Sequence, residues 1–341
     1  MRLYSYLTRL VSKLWAFVYR TRRNLYSRGL LISHRYEIPV ISVGNLTFGG
    51  TGKTPVVIFL AKYFNQKHLP VAILTRGYRG KREKTGGVIH ANQAKFCNGN
   101  EYGDEPAMIA QSLTKGAVIV GKNRHDNFVR YAKKVRPEVL ILDDGFQHLK
   151  IARDLDIVIF DATLPLEHYF PPPIGYAREA FSSLKDAQLI VLSKVNQLKQ
   201  RNLEPLIDKI RKVNQTAPIV EMSYELADLY DYNDFFSSTY PKKAFALAAI
   251  ANPDSFFDSL RSKGVEIIES FSFLDHYSFK MSDLKPILDR AKKENVPLLC
   301  TEKDMAKIKQ LVQSDFVFYP KLQVKFSDPQ LVKKLLDELL V

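Results

Sequence analysis

Short runs of apolar residues alternate with longer amphipathic stretches through most of the chain. The runs that predict strands lie at 39–44, 71–75, 117–121, 139–142, 157–160 and 189–192. The periodic segments that predict helices between them lie at about 55–66, 104–113 and 123–135. Strands without polar alternation are buried on both faces, as in a parallel sheet that is covered by helices. The pattern therefore predicts an α/β fold with a mostly parallel sheet.

A second, more compact alternation begins after 224–236, where acidic and aromatic residues cluster without the period of a helix or a strand. We place a domain junction there. Beyond it, strands are predicted at 244–247, 265–271 and 298–300, and helix starts at Asn252-Pro253, Ser282, Thr301 and Asp328. The predicted organisation is a lead-in at 1–36, a larger domain at 37–223 and a second, smaller α/β domain at 224–341.

The lead-in is basic and amphipathic. It holds eight basic side chains and no acid, so it carries +8 of the net charge of +14. Its apolar residues recur at helical spacing: Leu3, Leu7, Leu10, Leu14 and Val18. A basic helix with Trp and Tyr is typical of one that lies in a membrane interface. The alternative is a helix that packs on its own domain with a solvated basic face, and the pattern alone does not separate the two.

Composition narrows the class of protein. With 46% hydrophobic and 25% charged residues the chain is typical of a globular protein, and no apolar run approaches the roughly 18 residues of a membrane span. Cys97 and Cys300 are the two cysteines, which gives no disulfide framework and fits a reducing cytoplasm. Because the excess positive charge is concentrated near the N-terminus instead of along a groove, we expect no nucleic-acid partner.

A glycine-rich turn joins the first strand of the larger domain to its first helix. Gly-Lys-Thr between a strand and a helix predicts a P-loop, in which backbone N–H groups wrap the β-phosphate of a nucleotide. Lys53 would reach the β- and γ-oxygens, and the Thr54 hydroxyl would bind Mg²⁺. Thr47 stands where the strict pattern has glycine. The predicted nucleotide-binding residues are Thr47, Phe48, Gly49, Gly50, Thr51, Gly52, Lys53 and Thr54.

The strand at 139–142 ends in Asp143-Asp144. An apolar strand that delivers a carboxylate beside a P-loop is the Walker B arrangement, in which the acid holds Mg²⁺ directly or through water. Ligands of open α/β sheets bind at the edge formed by the carboxyl ends of the strands. We favour Asp143 as the direct ligand, although the sequence does not distinguish it from Asp144. The two motifs together predict a sheet of the P-loop NTPase type.

Other candidate residues have a structural and a functional interpretation. Asp104 is placed to cap a helix, or to accept the proton of an attacking hydroxyl. His276, in a loop, is either a surface residue or a group that polarises such a base. Arg124, Arg178 and Lys194 are either phosphate-stabilising or solvated cations.

Two other functions are consistent with a P-loop. A regulatory GTPase would carry Asn/Thr-Lys-x-Asp after a late strand, where this chain has Ser193-Lys194-Val195-Asn196 and so lacks the carboxylate that reads guanine. A nucleic-acid-binding ATPase would account for the basic isoelectric point. Its cations, however, would be expected to follow a groove across the body.

The motifs taken together resemble the tetraacyldisaccharide 4′-kinase family of lipid A biosynthesis. The resemblance spans roughly residues 38–308 in the order ISVGNLTFGGTGKTP, TRGYRG, YGDEPAMIA, VGKNRHDN, LDDGFQHLKIARDLDIVIFDA, FLDHYSF and TEKDMAKI. Members of the family also commonly lack the glycine that Thr47 replaces. The chain departs from the family pattern at Ala249–Pro253, usually Gly-containing, and at Tyr176–Ala180, where Arg178 and Glu179 are kept.

The resemblance implies ATP-dependent transfer of the γ-phosphoryl group to the 4′-hydroxyl of a tetraacylated glucosamine disaccharide 1-phosphate. It implies a peripheral enzyme, expected to be a monomer, on the cytoplasmic face of the bacterial inner membrane, with the smaller domain closing over the active site. The site residues that it implies are Lys53 and Thr54 for ATP–Mg²⁺, Asp143 and Asp144 for the metal, Asp104 as base with His276 as its partner, and Arg124 and Arg178 near the phosphates or substrate.

Overall fold

The computed structural model describes residues 2–78, 80–97, 99–198, 202–237, 239–250, 252–275 and 277–340. The chain forms two compact units. Unit 1 comprises residues 1–223 and 325–341, and unit 2 comprises residues 224–324.

The strands in the described residues are β1 Val40–Gly44, β2 Val71–Thr75, β3 Gly87–His90, β4 Gly116–Val120, β5 Val139–Asp143, β6 Leu155–Asp161, β7 Leu189–Ser193, β8 Ile219–Asp231, β9 Phe236–Ser237, β10 Lys243–Ala248, β11 Glu266–Ser272, β12 Leu298–Cys300 and β13 Val317–Phe326. The α-helices are α1 Arg2–Ser27, α2 Lys53–Gln66, α3 Arg82–Thr85, α4 Gly99–Tyr102, α5 Asp104–Gln111, α6 Arg124–Val135, α7 Glu204–Arg211, α8 Pro253–Ser262, α9 Met281–Glu294, α10 Glu302–Ile308 and α11 Pro329–Asp337.

The sheet of unit 1 has the strand order β8-β7-β6-β1-β5-β2-β4-β3. All of these neighbours are parallel except β3, which runs antiparallel to β4 at the edge. Every residue of β1, β2, β5, β6 and β7 is buried, as expected when helices cover both faces of a sheet. The predicted α/β fold with a mostly parallel sheet is confirmed.

Helices close the two faces of this sheet with apolar side chains. On α2 the buried residues include Val57, Leu60 and Phe64, and on α6 they include Phe128. Since parallel strands all end at one edge, the polar residues that follow β1, β2, β5, β6 and β7 lie along that edge. This edge is where the fold positions a site.

In unit 2 the strands β10, β11, β12 and β13 pair in parallel in the order β11-β10-β12-β13. The Asn252 side chain accepts a hydrogen bond from Ser255 N at the start of α8, so the predicted cap is confirmed. The predicted cap at Ser282 is wrong, because α9 already begins at Met281. The N–H of Lys280 there donates to Asp283 Oδ2 at 2.8 Å.

The segment 224–236, which we expected to lack regular structure, contains most of β8 and the first residue of β9. Its buried residues, Leu226 and Leu229, are separated by Ala227 and the polar Asp228, so the strand has little apolar signal. The structure also differs from the predicted domain 224–341 at its end, because residues 325–341 belong to unit 1. There the Tyr63 hydroxyl of α2 donates to Asp337 Oδ1 at 2.6 Å.

Helix α1 packs on the rest of unit 1 through polar groups. The hydroxyl of Ser12 donates to Pro171 O at 3.0 Å, Trp15 Nε1 donates to Arg178 O at 3.0 Å, and Arg23 is buried. The large apolar side chains of the opposite side are exposed: Leu7, Leu10, Val11, Leu14, Phe17 and Val18. This is the reverse of a helix that packs its apolar face inward. None of the helices in the described ranges has an apolar stretch long enough to cross a bilayer.

Candidate active site

The loop between β1 and α2 has the conformation of a phosphate cradle. Gly49 has φ of 107° and Gly52, the residue before α2, has φ of 84°. These left-handed values favour glycine. A Cβ at Gly49 or Gly50 would meet no protein atom within 4 Å. The loop backbone is therefore open to an anion at the N-terminus of α2, because the first N–H groups of a helix have no partner within the helix and favour anions.

The departure at Thr47 has a structural explanation. Thr47 is fully buried and forms an antiparallel bridge with Ala177. On either side, Arg178 N donates to Leu46 O at 2.6 Å and Phe48 N donates to Tyr176 O at 2.9 Å. The backbone of Thr47 is not among the residues with positive φ. Glycine is therefore not required here, because this position pairs with a neighbouring segment.

The side chain of Lys53 lies between the loop and the turn after β5. Its Nζ is 3.4 Å from Asn45 Oδ1, 3.5 Å from Gly49 O and 3.4 Å from Asp144 Oδ1. The ammonium group of Lys53 therefore places a positive charge between the loop and the turn after β5. This is the placement that a P-loop lysine needs to reach phosphate oxygens.

The two aspartates at the end of β5 differ in environment. Asp143 is buried and its Oδ2 accepts a hydrogen bond from Thr75 Oγ1 at 2.8 Å. Desolvation raises the pKa of Asp143 to about 6. Burial would also raise the pKa of Asp144, but the charges of Lys53 and Arg178 outweigh it and lower that pKa to about 2. Asp144 is therefore the more readily ionised carboxyl of the pair.

The turn that carries these aspartates is held by two arginines. Arg124, at the start of α6, is buried and donates to Asp143 O at 2.6 Å and to Asp144 O at 3.0 Å. Arg178 donates to Asp144 Oδ2 at 2.7 Å, and its guanidinium lies 5.3 Å from the ring centre of Phe48. Both predicted cations thus lie at the site, with Arg124 on the backbone of the turn and Arg178 on a carboxylate.

The motifs TRGYRG and YGDEPAMIA meet at the start of α5. A Cβ at Gly80 would lie 2.5 Å from the carbonyl carbon of Tyr102, so this loop packs closely on the residue before Gly103. The residue preceding α5 is Gly103, with φ of 98°, and no side chain caps this helix. The capping interpretation of Asp104 is therefore wrong. Asp104 is the first helical residue, and its exposed carboxylate has no hydrogen bond or ion pair within the described part of the chain.

The remaining predicted site residues are His276 and Lys194. His276 lies outside the described residues. Lys194 forms an ion pair with buried Asp161 and donates to Gly50 O at 3.4 Å. It is therefore not a solvated cation but a contact of the loop backbone. Ser193 makes a second such contact, donating to Thr51 O at 3.0 Å.

Several residues that build the site were missed from sequence: Asn45, Thr75, Gln147, Asp161 and Ser193. Thr75, Asp161 and Ser193 are each the last residue of a parallel strand. The rule that singled out Asp143, a polar residue at the carboxyl end of a buried strand, would also have selected these three. Asn45, which directly follows buried β1, would have been selected by the same rule, whereas Gln147 carries no comparable local signal.

The donor set at this edge fits a nucleotide with Mg²⁺. Asp144 Oδ1 and the buried Thr51 Oγ1 are without a hydrogen-bond partner among the described residues. Carboxylate and hydroxyl oxygens are ligands that Mg²⁺ prefers, and the Thr54 hydroxyl lies in the first turn of α2. Lys53 and the loop amides supply the positive groups that a triphosphate requires.

Comparison with known proteins agrees with this chemistry. The chain matches the family LpxK, tetraacyldisaccharide-1-P 4′-kinase, over residues 4–340. A tetraacyldisaccharide 4′-kinase of Desulfotalea psychrophila is 35% identical over 300 residues, which cover 87% of this chain and 86% of that protein. One of Geobacter metallireducens is 31% identical over 341 residues, with 99% of each chain covered.

Among solved structures, the fold is similar to that of LpxK from Aquifex aeolicus, which was crystallised in complex with ATP. The TM-score is 0.79 at 28% identity, and all of both chains is covered. Sequence and fold thus agree over the whole length, which leaves no support for the regulatory GTPase. The chain belongs to the tetraacyldisaccharide-1-P 4′-kinase family.

Proposed function

We propose that the loop 47–54 and the turn after β5 form the ATP–Mg²⁺ site of a kinase of lipid A biosynthesis. The enzyme transfers the γ-phosphoryl group of ATP to the 4′-hydroxyl of a tetraacyldisaccharide 1-phosphate. The observation that carries the site assignment is the position of Lys53 Nζ, 3.4 Å from Asp144 Oδ1 at the mouth of the P-loop. Phosphoryl transfer depends mainly on positioning and charge neutralisation, which these groups supply.

Each residue then has a defined task. Thr54, Asp143 and Asp144 would hold Mg²⁺, which, when bound, neutralises charge on the phosphates. Loop amides and Lys53 orient the triphosphate. Arg178 fixes the carboxylate of Asp144, while Arg124 fixes the backbone of both aspartates. Lys194 and Ser193 hold the loop from the ends of neighbouring strands.

Asp104 is the proposed general base. It does not cap α5, and its carboxylate is exposed at the start of that helix. A Cβ at Gly77, two residues beyond the end of β2, would lie 2.9 Å from Tyr102 O, so α5 begins beside the same edge of the sheet as the turn after β5. A carboxylate placed there can accept the proton of the attacking 4′-hydroxyl. His276 as its partner remains part of the proposal.

The function is tested by phosphate transfer. The enzyme, ATP labelled on its γ-phosphate and a detergent-dispersed lipid A disaccharide precursor are expected to give a labelled lipid with a phosphate at the 4′ position. Substituting GTP should reduce the rate. Nucleotide hydrolysis without any labelled lipid would contradict the proposal.

We also propose that α1 holds the enzyme, as a monomer, at the cytoplasmic face of the inner membrane. Six large apolar side chains of α1 are exposed on the side away from its buried contacts. The exposed cations Arg9, Lys13 and Arg20 lie between the two sides at helical spacing. Apolar burial in the acyl boundary and attraction to anionic headgroups would act together, the latter worth about 1 kcal/mol for each cation near the surface.

Leu14→Glu is expected to weaken binding to phosphatidylglycerol-containing vesicles by about 10-fold or more, because burying a leucine side chain is worth about 1.5–3 kcal/mol. Leu14 is 62% exposed. Val129→Glu is a matched control, since Val129 is 56% exposed on α6. Vesicle sedimentation measures the bound fraction of each variant. Equal partitioning of Leu14→Glu and the native protein would rule out α1 as a membrane anchor. Light scattering measures the molar mass in solution, which should be that of one chain, 39.1 kDa.

A further inference from the structure

The inward contacts of α1 end on the segments that build the active site. Arg23 is 5% exposed and donates from Nε and Nη2 to Glu179 Oε2, at 3.2 and 2.8 Å. Nη2 also donates to Phe146 O at 3.1 Å, and the guanidinium lies 4.5 Å from the centre of the Phe146 ring. Phe146 is two residues beyond Asp144. A buried arginine of α1 therefore binds the turn that carries the proposed metal-binding carboxylates.

A second group of contacts reaches the same turn from another direction. Trp15 Nε1 donates to the backbone oxygen of Arg178 at 3.0 Å, and Arg22 Nη1 donates to Gln147 O at 3.1 Å. The side chains of Arg178 and Gln147 meet at 3.2 Å, and Arg178 binds Asp144. The amide of Gln147 also donates to Asn45 O, ahead of the P-loop, at 2.8 Å.

The elements between α1 and the site are tightly packed. A Cβ at Gly44 would lie 2.5 Å from Phe146 Cβ, so β1 and the turn after β5 approach each other without spare space. The backbone of 176–178 is bonded to that of 46–48 just before the loop. Packed interiors transmit small shifts instead of absorbing them. A change in the seating of α1 is therefore passed to both the loop and the turn.

We propose that Arg23 and Trp15 are positioning residues for phosphoryl transfer, through which the membrane-facing helix fixes the geometry of the Lys53–Asp144–Arg178 cluster. The inference rests on the proposed function of that cluster. Helix α1 would then position the groups of the catalytic centre as well as anchor the enzyme to the membrane. The lipid-facing side and the site-facing side of one helix then have separable effects, on membrane binding and on turnover.

Two variants test the site-facing side. Trp15→Phe keeps an aromatic ring but removes the Nε1 donor, and Arg23→Gln removes the charge from the buried pair with Glu179. We expect kcat to fall about 3-fold for Trp15→Phe and about 10-fold or more for Arg23→Gln, because small misplacements of catalytic groups are costly. The KM for ATP and vesicle partitioning should change little. Thr21→Ala, at an exposed position of α1, is the control and should match the native kcat.

Assays run in detergent with a dispersed acceptor, below the thermal midpoint of each variant, separate positioning from stability. A merely structural role would lower the midpoint and leave kcat unchanged, which would overturn the proposal. Arg23→Lys should recover part of the kcat lost in Arg23→Gln. If Arg23→Gln does not fold, Trp15→Phe decides the matter alone. Native enzyme without phosphate transfer would instead refute the proposed function, so the two failures are distinguishable.

Discussion

Replacing Lys53 by alanine is expected to lower the rate of phosphate transfer by about 10³–10⁵-fold, the range seen when a cation that stabilises a transferring phosphoryl group is removed. The ammonium lies 3.5 Å from Gly49 O and 3.4 Å from Asp144 Oδ1, between the loop and the metal-binding turn. Charge that develops on the phosphoryl oxygens would lose its fixed counter-charge. Single-turnover transfer from labelled ATP measures the loss.

Lys67→Ala is the matched control for this variant. Lys67 follows the other end of α2 and pairs with Asp337 at the surface. Surface ion pairs contribute little to stability, so this variant should transfer phosphate at the native rate. Normal turnover in Lys53→Ala would contradict the P-loop assignment, since Lys53 is the one charged side chain within residues 47–54.

Asp104→Ala is expected to lower kcat by about 10²–10⁴-fold with little change in ATP affinity, as for loss of a general base. The affinity for ATP should be retained because loop amides, Lys53 and the metal ligands are untouched. Stability should also be retained, because Asp104 provides no cap to α5. Steady-state kinetics with a saturating acceptor, beside calorimetric binding of ATP–Mg²⁺, separate the two effects.

Asp126→Asn serves as the control for Asp104. Asp126 is likewise an exposed carboxylate in the first turn of a helix, in this case α6. Its removal changes charge and helix dipole in the same sense, so it should leave kcat close to the native value. A similar fall in both variants would show that the effect of Asp104→Ala is electrostatic and unspecific, and unchanged turnover in Asp104→Ala would end its assignment as base.

Most of the fold of unit 1 could be predicted because its strands are buried on both faces and its helices are amphipathic. The strand, loop and helix around Lys53 and the pair of aspartates at the end of β5 follow from residue type and order alone. Where polar residues interrupt the pattern, as in β8 around Asp228, the apolar signal is too weak to reveal the strand. The start of α9 was also misplaced, because a serine near a helix start does not specify which residue caps it.

Residue type and order were enough to predict a basic amphipathic helix at α1 and a P-loop beside paired aspartates. They did not determine which side of α1 faces the protein. That orientation depends on contacts distant in sequence, because the partners of Trp15 and Arg23 are Arg178, Glu179 and Phe146, more than a hundred residues away along the chain. Buried acceptors at those positions hold the polar side of the helix against unit 1, which leaves the apolar side exposed.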